Sequence, residues 1–359
     1  MKFNYIFSVG ESVIDTNTGE VLTISKRIGS GNTPAYKVIE NGFLYNESVL
    51  ISADSHSKEE KEEEKQNEEK NIKEKKEELY NFLCNVDTKN KEISKFARNL
   101  NLLALKDKIT PAYGREKELE EIQELLERRT KPNVILTGKA GCGKTAIIEE
   151  LARTFVNIAL ESDTTTPIIY DLSLNSLIGG TKYRGDFEER IKDMLEKIAY
   201  NSNIILFIDE IHMMNDLGRD ANNSITFGQI LKPMLARGEI RVIGATTTEE
   251  YNNSIAKDKA LQRRFSTIEV NEIAGTSKKE CAEKILTEYS NYFKIKTNNI
   301  IVDNILNIIS ATMNQTVFPD NFINIIDETF ARAKFKKKKE ITNTEINETL
   351  TRHTGMLII

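Results

Sequence analysis

The apolar run NVILT, residues 133–137, passes directly into GKAGCGKT, residues 138–145, and a helical pattern follows from Ala146 to Ile158. The octet fits G-x-x-x-x-G-K-[ST] at every position, in the strand–loop–helix setting that gives the pattern its meaning. A strand must end where a helix begins, with a loop between them whose backbone N–H groups can close around an anion. Gly138, Gly141 and Gly143 permit that approach, and Lys139, Ala140 and Cys142 complete the binding loop. Lys144 is placed to reach the β- and γ-phosphates, and the Thr145 hydroxyl to ligate Mg²⁺. ATP and Mg²⁺ are therefore the expected ligands.

Other segments fit the same chemistry. Ile204-Ile205-Leu206-Phe207-Ile208 is a buried-strand pattern that ends in Asp209-Glu210. By itself this is as often a strand with an acidic turn. Beside a phosphate loop, Asp209 reads as the residue that holds the metal and Glu210 as the general base that polarises water. The segment IRVIGATTTEEY, 240–251, is an apolar strand that ends in hydroxyls, so Thr246 or Thr247 could orient the attacking water. Arg263-Arg264 lie in ALQRRF between the apolar Leu261 and Phe265. An isolated pair of arginines is commonly just solvated, but between apolar anchors it suits a finger that stabilises charge on a transferring phosphoryl group.

Around these motifs, strand-like runs at 133–136, 167–172, 204–209, 240–244 and 267–270 alternate with helical patterns, as in a parallel sheet covered on both faces. After Asn271 the pattern is almost wholly helical, over 276–294, 300–313, 319–334 and 344–353. The N-terminal 50 or so residues instead hold short apolar bursts separated by the turn segments NTGE, GSGN and ENG, predicting four or five strands in a small barrel or curled sheet. Between Lys58 and Glu78, 17 of 21 residues are Glu or Lys, so no packed face can form and the segment reads as a disordered or solvated helical tether. The expected organisation is a β-rich module over 1–53, a charged linker over 54–80, a helical connector over 81–107, a nucleotide-binding domain over 108–273 and a helical lid over 274–359.

Composition removes several function classes. No apolar run approaches a membrane span, and the start of the chain does not read as a signal peptide. Net charge is −5, which weighs against a protein built on a nucleic-acid backbone. The three cysteines are far apart, so neither a disulfide framework nor a zinc site is expected and a reducing cytosol is the default.

In this order and spacing, the segments resemble the AAA+ ATPases of the Clp family, specifically their first ATPase domain. Six blocks carry the resemblance: 109–152, GTKYRGDFEERIKDML at 180–195, 230–251, KALQRRF at 259–265, FPDNFINIIDET at 318–329, and 336–357. It implies an α/β fold, an AAA+ P-loop domain with a mostly helical lid. It further implies that Pro111–Arg115, with Ala112 and Tyr113, help enclose the adenine, and that Thr247 is the water-orienting hydroxyl. Lys182 and Tyr183 fall on the family's first pore loop, where an aromatic between Gly180 and Gly185 would grip an extended polypeptide. The function implied is ATP-dependent remodelling or unfolding of protein substrates by a homo-oligomer, a hexamer, threading chain through its pore.

The sequence also departs from that family. The β-rich module is unlike the family's helical N-domain, and only one ATPase block is present, so a single ring layer is expected. The family's PDK is Pro319-Asp320-Asn321 here, and no I/L-G-F/L tripeptide for docking a peptidase is found, so no peptidase partner is expected. The alternatives are an AAA+ motor or loader on nucleic acid, which the acidic balance disfavours, and an assembly protein gated by nucleotide.

Overall fold

The computed structural model describes the chain apart from residues 1–6, 9, 16–17, 19, 31–32, 39–43, 47–49, 163, 179–183, 218–225, 298–299, 314–315 and 356–359. Contacts divide it into two units, Met1–Glu78 and Leu79–Ile359.

The first unit contains β1 (Ser12–Asp15), β2 (Val21–Ser30), β3 (Thr33–Val38), β4 (Leu44–Asn46) and β5 (Leu50–Ser52). They form one antiparallel sheet in the order β4-β3-β2-β1-β5. Alternate residues face a small core of Phe7, Val13, Leu22, Ile24, Tyr36, Val38 and Leu50. The charged stretch that follows is helical, within Ala53–Lys89. Its Ile72 is half exposed, as expected of a helix without an apolar face.

The second unit is built on β6 (Ala97–Asn99), β7 (Val134–Thr137), β8 (Ile168–Leu172), β9 (Ile204–Ile208), β10 (Arg241–Thr246) and β11 (Ser266–Glu269). Their order is β11-β7-β10-β9-β8-β6, and every pairing is parallel except that of β6 with β8. Successive side chains of a strand point to opposite faces, and here both faces are covered. In β9, Ile204, Leu206 and Ile208 enter one core while Ile205 and Phe207 enter the other. That double burial is why the strands read as unbroken apolar runs. Helices Thr276–Phe293, Ile300–Thr312, Asp320–Phe335 and Asn343–Thr354 form the lid, around a core that includes Phe318, Phe322, Phe330, Ile305 and Leu350.

One element differs from expectation. The stretch after Lys89 is not a continuous helix: a single turn, Lys91–Ser94, leads into β6 before the helix Leu100–Leu105. Phe96, Ala97 and Leu100 fit a helical face in the sequence. The free edge of β8 offers backbone partners, however, and Ala97, Arg98 and Asn99 pair with Leu172, Asp171 and Tyr170. Asn99 then caps the next helix by accepting from the Leu102 amide.

Candidate nucleotide site

β7 and β9 flank β10, which brings the phosphate loop, the Asp209 turn and the hydroxyl-bearing end of β10 side by side. Thr246 stands in register with Thr137, the last residue before the loop. Two glycines of the loop are required by close approach. A Cβ on Gly138 would lie 2.3 Å from the Val270 carbonyl oxygen, and one on Gly141, at φ +80°, 2.8 Å from the Asp320 Cβ. The Lys144 ammonium donates to the Gly138 and Lys139 carbonyls at 2.9 and 3.0 Å, holding its charge at the loop mouth.

Thr145 Oγ1 donates to Asp209 Oδ2 at 2.9 Å, joining the loop to the tip of β9. Asp209 Oδ1 accepts from the Glu210 amide at 2.9 Å. Glu210 turns the chain through a left-handed conformation, φ 50° and ψ 42°, which leaves its side chain exposed at the cleft. The hydroxyl and carboxylate are hard oxygen donors, which suits Mg²⁺, a cation bound by one or two protein groups and otherwise by water and phosphate. Among the described residues no cluster of three or more His, Cys, Asp or Glu forms a protein-only metal cage. The donor set therefore fits a nucleotide-borne Mg²⁺.

A cleft of about 670 Å³ collects Ala140, Gly141, Gly143, Lys144 and Thr145 with Asp209, Glu210 and Thr247. Thr246, Glu250, Arg98, Asp171 and, from the lid, Pro319, Asp320 and Ile323 also line it. Gly138, Lys139 and Cys142 do not line the cleft; Gly138 is buried and Lys139 is exposed. The Cys142 side chain is buried, and its carbonyl accepts from Arg115 Nη2 at 2.6 Å.

Other expected site residues lie elsewhere. The Ala112 amide donates to Glu150 Oε2 at 3.1 Å, and Tyr113 packs against the lid core, its hydroxyl 2.6 Å from Glu288 Oε1 and its ring under the Lys284 ammonium. Burial and the Glu288 carboxylate push the Tyr113 phenol upward. Arg263 and Arg264 are exposed, held by the buried Leu261 and Phe265, and do not line this cleft. Lys182 and Tyr183 lie outside the described residues, and the helix Arg184–Tyr200 begins just after them, with Gly185 in its first turn.

The structure adds contacts that the sequence reading did not assign. Arg115, only 4 % exposed, links Cys142, Asn271 and Glu118. Arg98 pairs with Asp171 at the far rim. Glu250 joins Thr246 and Thr247. Of these, Glu250 had a sequence signal: Thr247-x-x-Glu250 has the spacing of a helix capping box.

Residues 134–273 match the family described as ATPase family associated with various cellular activities (AAA). The chain is 39% identical to the chaperone protein ClpB of Aquifex aeolicus (strain VF5) over 244 residues, 68% of this chain and 24% of that protein. It is 36% identical to ClpC, the ATP-binding subunit of an ATP-dependent Clp protease from Staphylococcus aureus (strain USA300), over 71% of this chain and 31% of the relative. Among solved structures, the S. cerevisiae Hsp104-ADP complex superposes with a TM-score of 0.65 at 33% identity, covering 74% of this chain and 46% of that one. The extended Hsp104:casein complex gives 0.66 at the same identity, over 74% and 45%. Phosphate loop, parallel sheet and helical lid are thus those of an AAA+ ATPase. Within that class the ATPase region is of the Clp type, and the chain spans about a quarter to a third of the length of the curated relatives it matches.

Proposed function

We propose that this chain hydrolyses ATP and uses the energy to remodel or unfold protein substrates, working in the cytoplasm as a ring-shaped homo-oligomer, a hexamer. The observation that carries the reading is the 2.9 Å bond from Thr145 to Asp209, with Glu210 next in the chain and facing the same cleft. Lys144 would neutralise phosphate charge, while Thr145 and Asp209 would hold Mg²⁺. Bound there, Mg²⁺ offsets charge on the phosphoryl oxygens. Glu210 would take the proton of the attacking water as its oxygen bonds to the γ-phosphorus and the bond to the bridging oxygen breaks, giving ADP and phosphate.

Arg263 and Arg264, exposed and outside the lining of their own cleft, would reach the cleft of a neighbouring subunit. Lys182 and Tyr183 would grip the translocating chain at the ring axis. Ala112 and Tyr113 would help enclose the base, Tyr113 from its place against the lid core. Nucleic acid is not a proposed partner, nor is a peptidase. Among the described residues no helix is long and apolar enough to cross a membrane.

The test is a pair of variants. Glu210→Gln should bind ATP and fail to hydrolyse it, because an amide cannot accept the water's proton. Lys144→Ala should lose nucleotide affinity itself. Turnover at the parent rate in Glu210→Gln would place the general base elsewhere.

A further inference from the structure

The Thr247 hydroxyl has one proton, and its destination decides what it can offer the cleft. Thr247 Oγ1 lies 2.8 Å from Glu250 Oε2 and accepts from the Glu250 amide at 3.2 Å. The same carboxylate oxygen accepts from the Thr247 amide at 3.1 Å and from Thr246 Oγ1 at 3.1 Å. An ionised carboxylate only accepts, so both hydroxyl protons point to it. With the Thr246 proton committed, its oxygen can only accept from His212 Nδ1, 2.9 Å away, which fixes that ring nitrogen as the donor. Burial alone would raise the Glu250 carboxyl, but the Thr247 and Thr246 donors and the nearby His212 hold it below the usual carboxylate range, so it stays ionised. Thr246 is buried, whereas Thr247 and Glu250 are part-exposed on the cleft wall near Glu210.

Resting on the hydrolytic reading above, we infer that Glu250 is a positioning residue, which binds the Thr247 proton so that Thr247 presents a lone pair to the cleft. The consequence is chemical. A phosphoryl oxygen is an acceptor and finds no donor in a Thr247 of this orientation; a water molecule does find an acceptor. With one water proton directed to Glu210 and the other to Thr247, both lone pairs of the water oxygen stay uncommitted and one is free to face phosphorus. Thr247 then acts on the nucleophile and not on the phosphate, and Glu250 acts only through Thr247.

A double-mutant cycle with Glu250→Ala and Thr247→Val tests this, measuring kcat, binding of a non-hydrolysable ATP analogue, and the melting temperature without nucleotide. Glu250→Ala should lower kcat about ten-fold or more while analogue affinity stays within about three-fold. Added to Thr247→Val, it should cost less than about two-fold further, because the group it acts through is already gone. An equal loss in both backgrounds, or a loss of affinity matching the loss in kcat, overturns the inference. If Glu250→Ala does not fold, Glu250→Gln carries the test, since a capping box accepts either side chain and a neutral oxygen holds the proton more weakly. The same non-additivity is then expected on a smaller loss. Glu210→Gln is measured alongside. If it hydrolyses ATP at the parent rate, the hydrolytic reading falls and this inference with it. If it is inactive while both Glu250 variants match the parent, only the role of Glu250 falls.

Discussion

Replacing Arg115 should loosen the phosphate loop from behind. Its guanidinium is buried and donates to the Cys142 carbonyl at 2.6 Å, the Asn271 carbonyl at 2.8 Å and Glu118 Oε1 at 2.7 Å. These acceptors belong to the loop itself, to the segment leading into the lid and to the helix Glu116–Leu126. Arg115→Ala leaves two carbonyls and a carboxylate without their donor. Glu118 is 19% exposed and recovers some hydration, but removing one partner of a buried pair costs about 3–5 kcal/mol. At roughly 2 °C per kcal/mol for a unit the size of Leu79–Ile359, the melting temperature should fall by about 5–10 °C. Nucleotide must then re-order the loop, so affinity for an ATP analogue should weaken by about ten-fold, or about 1.4 kcal/mol. Scanning calorimetry and analogue titration read the two quantities separately. Arg115→Lys sharpens the test, because one ammonium keeps the charge but cannot span three acceptors in a fixed fork. It should retain most of both losses. A lysine variant with the parent's melting temperature and affinity would refute the argument that fork geometry fixes the loop.

Three further outcomes are expected. Subunits carrying Arg263→Ala and Arg264→Ala, mixed with Glu210→Gln subunits, should regain part of the ATPase activity that each lacks alone, since some interfaces then pair an intact base with an intact finger; mixed rings without any recovery would count against action in trans. Tyr183→Ala should cut ATP-dependent unfolding of a tagged reporter by about ten-fold or more, if each aromatic grip contributes about 1–2 kcal/mol, while Tyr183→Phe keeps the flat apolar ring and should unfold it well. Undiminished unfolding by the alanine variant would exclude the aromatic grip. Burial alone would raise the Glu345 carboxyl, but Lys338 and the Thr342 hydroxyl and amide hold it at about 2, against the usual 4.5. Being depressed in the folded state, it stabilises the lid above about pH 4.5, and that contribution disappears as pH falls towards about 2. Acid-unfolding curves of the parent and Glu345→Gln should therefore differ at neutral pH and converge near pH 2, and parallel curves would contradict this.

Much of this protein is legible in its sequence because the relevant signals are local. GKAGCGKT, the apolar run ending in Asp209-Glu210, and the doubly buried strands each depend on residues adjacent in the chain, where periodicity and glycine placement act directly. The lid helices could be read to within a residue or two for the same reason, since each carries its own apolar face. What tertiary structure decided were choices settled by distant partners. Ala97–Asn99 satisfies a helical pattern, yet it became a strand because Tyr170–Leu172, some 73 residues on, exposed an edge with unpaired backbone groups. Arg115 looked like part of a base-binding segment until Cys142 and Asn271 converged on its guanidinium. The spacing of Thr247 and Glu250 announces a helix cap. That the same carboxylate also reaches Thr246, itself held by His212, emerges only when β9 and β10 lie side by side. Hydrogen-bond partners separated along the chain leave no periodic trace in it, because the backbone has to fold before their side chains can meet.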